Sequence, residues 1–181
     1  MFKSIVKGRI RAFAARYRYD ASYMEALFDA SPAAFFKFLK LSSAAQHREA
    51  APIDAYYAAK IAGARFEDCG PCIQLVVNMA EEAGMPKHQI EAVLLRRYDE
   101  MNPDTALGFR FAEAVIARAG ALDEVQDAIR YAWGEKGLID LTFSLQFGRM
   151  FPMVKLGLGR AAACSRVMVG DAAFDLTPIT A

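Results

Sequence analysis

Cysteine is scarce in this 181-residue chain: there are three, two of them close together. That is too few for the disulfide framework of a small secreted domain, and it fits a reducing, cytoplasmic compartment. An excess of one charge is also missing. With 22 basic and 21 acidic side chains the formal net charge is +1, which gives no ground for a nucleic-acid partner. No uninterrupted apolar run reaches about 18 residues, so no transmembrane helix is expected. Strand-type alternation is absent except at residues 166–169. Only two histidines are present, His88 in the first turn after Pro86 and His47 in a polar connector, and neither reads as catalytic.

What is present is apolar. Hydrophobic residues make up 55% of the chain and charged residues 24%, which argues for one folded domain with a substantial core. The first 18 residues are the exception in charge: Lys3, Lys7, Arg9, Arg11, Arg16 and Arg18 precede the first acid, Asp20. Phe2, Ile5, Val6, Ile10, Phe13 and Tyr17 form a helical stripe among them. No apolar core region or cleavage site follows, so this is not read as a signal peptide. Such a stripe can lie on a membrane surface. Packing on the body of the protein, or on a neighbouring subunit, is the preferred reading.

Helix punctuation then becomes regular. Ser31-Pro32 reads as N-cap and first helical residue, Pro52 opens a second helix, and a third runs from Cys69 to Ala83 with Gly84 just beyond its end. Met85-Pro86 starts a fourth, Asn102-Pro103 a fifth, and Asp123 is expected to cap a sixth after the break at Gly120. A last helix spans about residues 138–158, with a kink expected at Pro152. The fold class is all-α, a helical bundle with mostly short links. Residues after Gly159 lack helical periodicity and read as an arm or tail. The alanines Ala55, Ala58, Ala59 and Ala62 allow close helix approach and are expected at subunit contacts, whereas Phe35, Phe36 and Phe38 read as core.

The chemistry is concentrated in Cys69-Gly70-Pro71-Cys72. Residues three apart share a helix face, so the sulfurs can come within disulfide reach. A helix start also offers unpaired N–H groups and the positive end of the dipole, both of which stabilise a thiolate. Acidic Glu67 and Asp68 oppose that effect. A structural zinc site would need four ligands, and only His88 and Cys164 could complete the pair, so a metal is not expected. Cys164 otherwise reads as a small core or interface residue. A thioredoxin fold is rejected because the segment before the cysteines is helical, not a strand.

The run from Ala64 through the cysteines to Ile90, with Ala80, Ala83 and Gly84 in place, resembles the alkylhydroperoxidase D-like, carboxymuconolactone decarboxylase superfamily. The likeness continues through Asn102-Pro-Asp-Thr-Ala-Leu-Gly-Phe and Leu138-Ile-Asp-Leu, covering about residues 52–160. The resemblance implies an oligomeric helical fold with residues 1–50 as an N-terminal helical extension, 51–160 as the family domain and 161–181 as a C-terminal arm or tail. It also implies a thiol-dependent peroxidase or disulfide reductase, with Cys72 as the attacking sulfur and Cys69 resolving it. The partners expected are a small peroxide or disulfide, a thiol reductant, and further copies of the chain as a trimer or hexamer. No cofactor is expected.

Three positions depart from the family pattern. Val76 stands where a relay histidine falls four residues after the second cysteine, Tyr57 where a glutamate falls about twelve before the first, and Pro71 where a histidine often precedes the second. If the relay is relocated, Tyr57, Glu67 and His88 are the candidates, in that order. Tyr57 is expected to point toward the cysteines as a proton donor, and Cys72 to be the more buried sulfur. The alternative is a binding protein of the same fold whose redox chemistry has been lost.

Overall fold

The computed structural model describes residues 2–118, 120–161 and 166–177. Among them it is mostly helical, with eight α-helices and one small antiparallel hairpin. In order these are α1 (Phe2–Tyr17), α2 (Ser22–Ala30), α3 (Pro32–Ala44), α4 (Ile53–Phe66), α5 (Gly70–Glu82), α6 (Lys87–Leu95), α7 (Pro103–Ala117) and α8 (Leu122–Gly157). A 3-10 turn, Tyr98–Glu100, links α6 to α7, and strands β1 (Arg166–Val169) and β2 (Ala172–Asp175) follow α8.

The capping residues act as their chemistry dictates. Ser31 Oγ accepts from Ala34 N at 3.2 Å, and Asn102 Oδ1 accepts from Thr105 N at 2.8 Å. Each satisfies one N–H that a helix start leaves without a partner. Gly84 sits at φ +92°, the left-handed conformation that ends α5. Two expectations at α8 fail. Its first residue is Leu122, so Asp123 lies in the first turn and makes no cap. The break falls at Gly134 (φ 69°, ψ −173°), and the helix runs through Pro152 without leaving helical geometry. Glycine reaches that backbone state without a Cβ clash, and so absorbs the change of direction before Pro152 is reached.

Helix α4 is the centre of the molecule. Ala55, Ala58, Ala59, Ile61 and Ala64 are fully buried, and the helix is flanked by α7 and α8. The alanines expected between subunits are therefore spent inside the chain, where they let helix backbones approach closely. At two crossings even alanine is too large. A Cβ on Gly108 would collide with the Ala55 backbone, and one on Gly148 with the Lys60 backbone. Asp140, Ser144 and Gly148 recur every four residues on α8 and form one stripe facing α4. Ser144 Oγ donates to Tyr56 O at 2.5 Å. Asp140, wholly buried, accepts from the backbone N–H groups of Glu49, Ala50 and Ala51 at 2.7–3.1 Å. That carboxylate fixes the chain's entry into α4.

Two cores result. The larger is built from α4 to α8 and the hairpin; the smaller joins α1, α2 and α3 through Phe28, Phe35 and Phe38, and rests on Leu75, Phe151 and Val154. The N-terminal stripe packs on the body in part: Val6 and Ile10 are buried, whereas Phe2 and Ile5 are exposed. The segment read as a loose tail is docked over residues 166–177. Val167 and Val169 are buried, and Gln74 clamps Met168 through both its N–H and its C=O. Buried Arg65 donates to Leu94 O and, at 3.1 Å, to Thr177 O. Cys164 lies outside the described residues. Among those residues no helix is long and apolar enough to cross a membrane.

Replacing Asp140 by alanine removes the acceptor of three N–H groups, of which that of Ala51 is buried. The substitution is expected to lower stability by about 3 kcal/mol in urea unfolding. A loss under about 0.5 kcal/mol would contradict the anchoring role.

Candidate functional site

Cys69 and Cys72 stand at the start of α5, joined as a disulfide with Cα atoms 5.2 Å apart. Cys69 is the N-cap, and its carbonyl accepts from both Cys72 N and Ile73 N at 2.9 Å. Pro71 in the first turn contributes no N–H, so no donor is stranded there. The reversal out of α4 is made by Asp68 at φ +47°, a conformation that aspartate tolerates better than most residues. The acid beside the cysteines thus has a backbone reason to be there. Its neighbour Glu67 is bound by Arg149 Nε at 2.6 Å, and the Arg149 guanidinium lies 4.7 Å from the Phe66 ring centre. Arg149 offsets the charge that opposes a thiolate, and it also removes Glu67 as a free base.

Both cysteines are 3% exposed, so the expected difference in burial is not found. The asymmetry lies elsewhere. Cys72, and not Cys69, lines a cavity of about 910 Å³ that runs between the α1–α3 cap and helices α4, α5 and α8. Tyr57 lines the same cavity from α4, and Val76 from α5, one turn beyond Cys72. His88 is exposed on α6 and shares no wall with them. Phe35 and Phe38 belong to core and cavity wall at once, whereas Phe36, expected in the core, lines the cavity but is exposed. Among the described residues no group of three or more His, Cys, Asp or Glu is placed to hold a metal ion.

Burial raises the Tyr57 hydroxyl above its ordinary value, although Arg48 works against that shift. Tyr57 is therefore protonated at neutral pH, suited to donate a proton and unable to serve as a base. Its ring meets that of Tyr56 edge-on, with centres 5.3 Å apart.

Lys60 was not singled out by sequence. It sits one turn beyond Tyr56, on a helix whose neighbouring positions are all small or apolar, and that isolation is the signal that could have found it. The residue is 7% exposed. Its ammonium donates to Ala45 O at 2.7 Å and to Tyr56 Oη at 2.8 Å, and stands 4.3 Å from the Tyr56 ring centre. Tyr56 Oη in turn donates to Ala45 O at 2.8 Å. Burial pushes the amine down to about 7.

No family model matches the chain, and no curated protein or solved structure is significantly similar to it.

Lys60 makes stability depend on pH with a definite sign. Its folded value lies below the unfolded value of about 10.4, so between the two the unfolded chain holds the extra proton. This group's contribution to stability therefore rises as pH increases through that window. The stability of Lys60→Met relative to the parent, read from urea midpoints, is expected to fall steadily between about pH 7 and pH 9.5. A difference that does not change with pH would contradict it.

Proposed function

We propose that the protein is a thiol-dependent oxidoreductase that cycles Cys69 and Cys72 between dithiol and disulfide. The observation that carries this reading is a cysteine pair closed at a helix start, with Cys72 lining a large cavity. The alkylhydroperoxidase D-like bundle resemblance supports the same assignment, as do the helix dipole and the neutralisation of Glu67 by Arg149.

With a peroxide, the Cys72 thiolate attacks the outer oxygen and the O–O bond breaks. The alcohol leaves as an oxyanion that takes the Tyr57 proton, and Tyr57 is reprotonated from solvent. Cys72 is then a sulfenic acid. The Cys69 thiol displaces its oxygen as water and closes the disulfide. Two equivalents of an external thiol reopen the pair and leave as their own disulfide. With a disulfide substrate, the same dithiol delivers both electrons by exchange. A reducing cytoplasmic compartment and assembly into a trimer or hexamer belong to this proposal. Exposed Phe143 and Ile139 on α8 supply apolar surface for such contacts.

A second reading is favoured by one observation: Val76 and Tyr57 fill the positions of the family's relay, beside a cavity large enough for a ligand. On that reading the protein binds a ligand and performs no redox turnover. Steady-state consumption of an organic hydroperoxide or a small disulfide, with dithiothreitol as donor, separates the two. Cys72→Ser is expected to lower turnover by at least about tenfold. A variant as active as the parent would overturn the redox reading.

A further inference from the structure

The cavity holds more than the cysteine needs. Its volume, about 910 Å³, is at the upper end of the roughly 300–1,000 Å³ typical of small-molecule sites. Aromatic rings line much of its wall, with Tyr23 from α2, Phe35 and Phe38 from α3 and Phe151 from α8. Its charged lining has one sign in excess. Arg9, Arg16, Arg48 and Lys60 face a single acid, Glu82, and that carboxylate is already held by Arg16 and Tyr17.

Lys60 is the buried cation of that lining, and no charge answers it. Both of its hydrogen-bond partners are neutral oxygens, and among the described residues no carboxylate lies within ion-pairing distance of it. An ammonium has three N–H donors, and the Ala45 and Tyr56 bonds use two. A buried charge without a partner is costly, and a counter-charge brought by a ligand removes that cost. Burial already pulls the amine toward its neutral form, and an arriving anion favours the charged form again. Arg48, close enough to influence both Tyr56 and Tyr57, adds a second cation at the same end.

We propose that this cavity binds a single-chain organic anion, its carboxylate paired with Lys60 and its apolar tail among the aromatic rings. The site does not depend on the redox reading, and its test reads binding alone.

Isothermal titration of the full chain with decanoate, decanol and decyltrimethylammonium, each below its micelle concentration, tests it. Decanoate is expected to bind once per chain, at least about tenfold tighter than decanol, with the ammonium compound weakest. In Lys60→Met the carboxylate and the alcohol should bind within about twofold of each other, decanol keeping its parental affinity. Equal affinities in the parent, a preference for the ammonium compound, or a carboxylate preference that survives Lys60→Met would each overturn the proposal. A further measurement needs no variant: saturating decanoate should protect Lys60 from acetylation by an activated ester in the parent chain, and decanol should not. A Lys60 acetylated equally in both, or in neither, also overturns it.

Discussion

Backbone-to-backbone packing around α4 is the constraint on which the other features depend. A helix can be surrounded on most sides only if its side chains take little room, and α4 meets this with alanine at positions 55, 58, 59, 62 and 64. Its neighbours meet it with glycine where the crossing is tightest, at Gly108 of α7 and Gly148 of α8. Close approach brings dispersion contacts and apolar burial, but it also drags backbone polar groups away from water. Ser144 and Asp140 answer for those groups, one bonding the Tyr56 carbonyl and the other the three N–H groups before α4.

The same packing decides what faces the cavity. With its small residues committed to α7 and α8, α4 presents its large side chains, Tyr56, Tyr57 and Lys60, to the space under the N-terminal cap. Helix α5 leaves α4 through the turn at Asp68 and sets Cys72 on the adjoining wall. The cap of α1, α2 and α3 then closes the space with aromatic rings and rests on α5 and α8. A closed cysteine pair, a buried amine and an apolar chamber are thus consequences of a single helix–helix geometry.

Features set by local chemistry were readable in the sequence. Ser31-Pro32, Asn102-Pro103 and Gly84 mark their helix ends because caps act through neighbours a few residues away. The pairing of Cys69 with Cys72 is equally local. Long-range packing was harder to read. The alanines of α4 serve any close interface, and only the fold shows that the partners are α7 and α8 rather than another subunit. Pro152 is the stronger helix breaker by composition, yet the backbone leaves helical geometry at Gly134, whose positive φ is open to glycine without a Cβ clash. The hairpin is short, and its docking depends on Gln74 and Arg65, far away in sequence. Lys60 escaped notice because a lysine is ordinarily a surface residue, and only its surroundings in space bury it.

The central claim is that the cysteine pair opens and closes reversibly inside an unchanged fold. Equilibrating the protein in glutathione buffers of graded potential, trapping thiols with iodoacetamide and counting labels by mass tests this most directly. The account predicts one reversible two-electron transition, approached identically from either side, with the same helical circular dichroism at both ends. A dithiol form that cannot be closed again, or a chain that loses helix when the pair is reduced, would contradict it and mark the bond as structural.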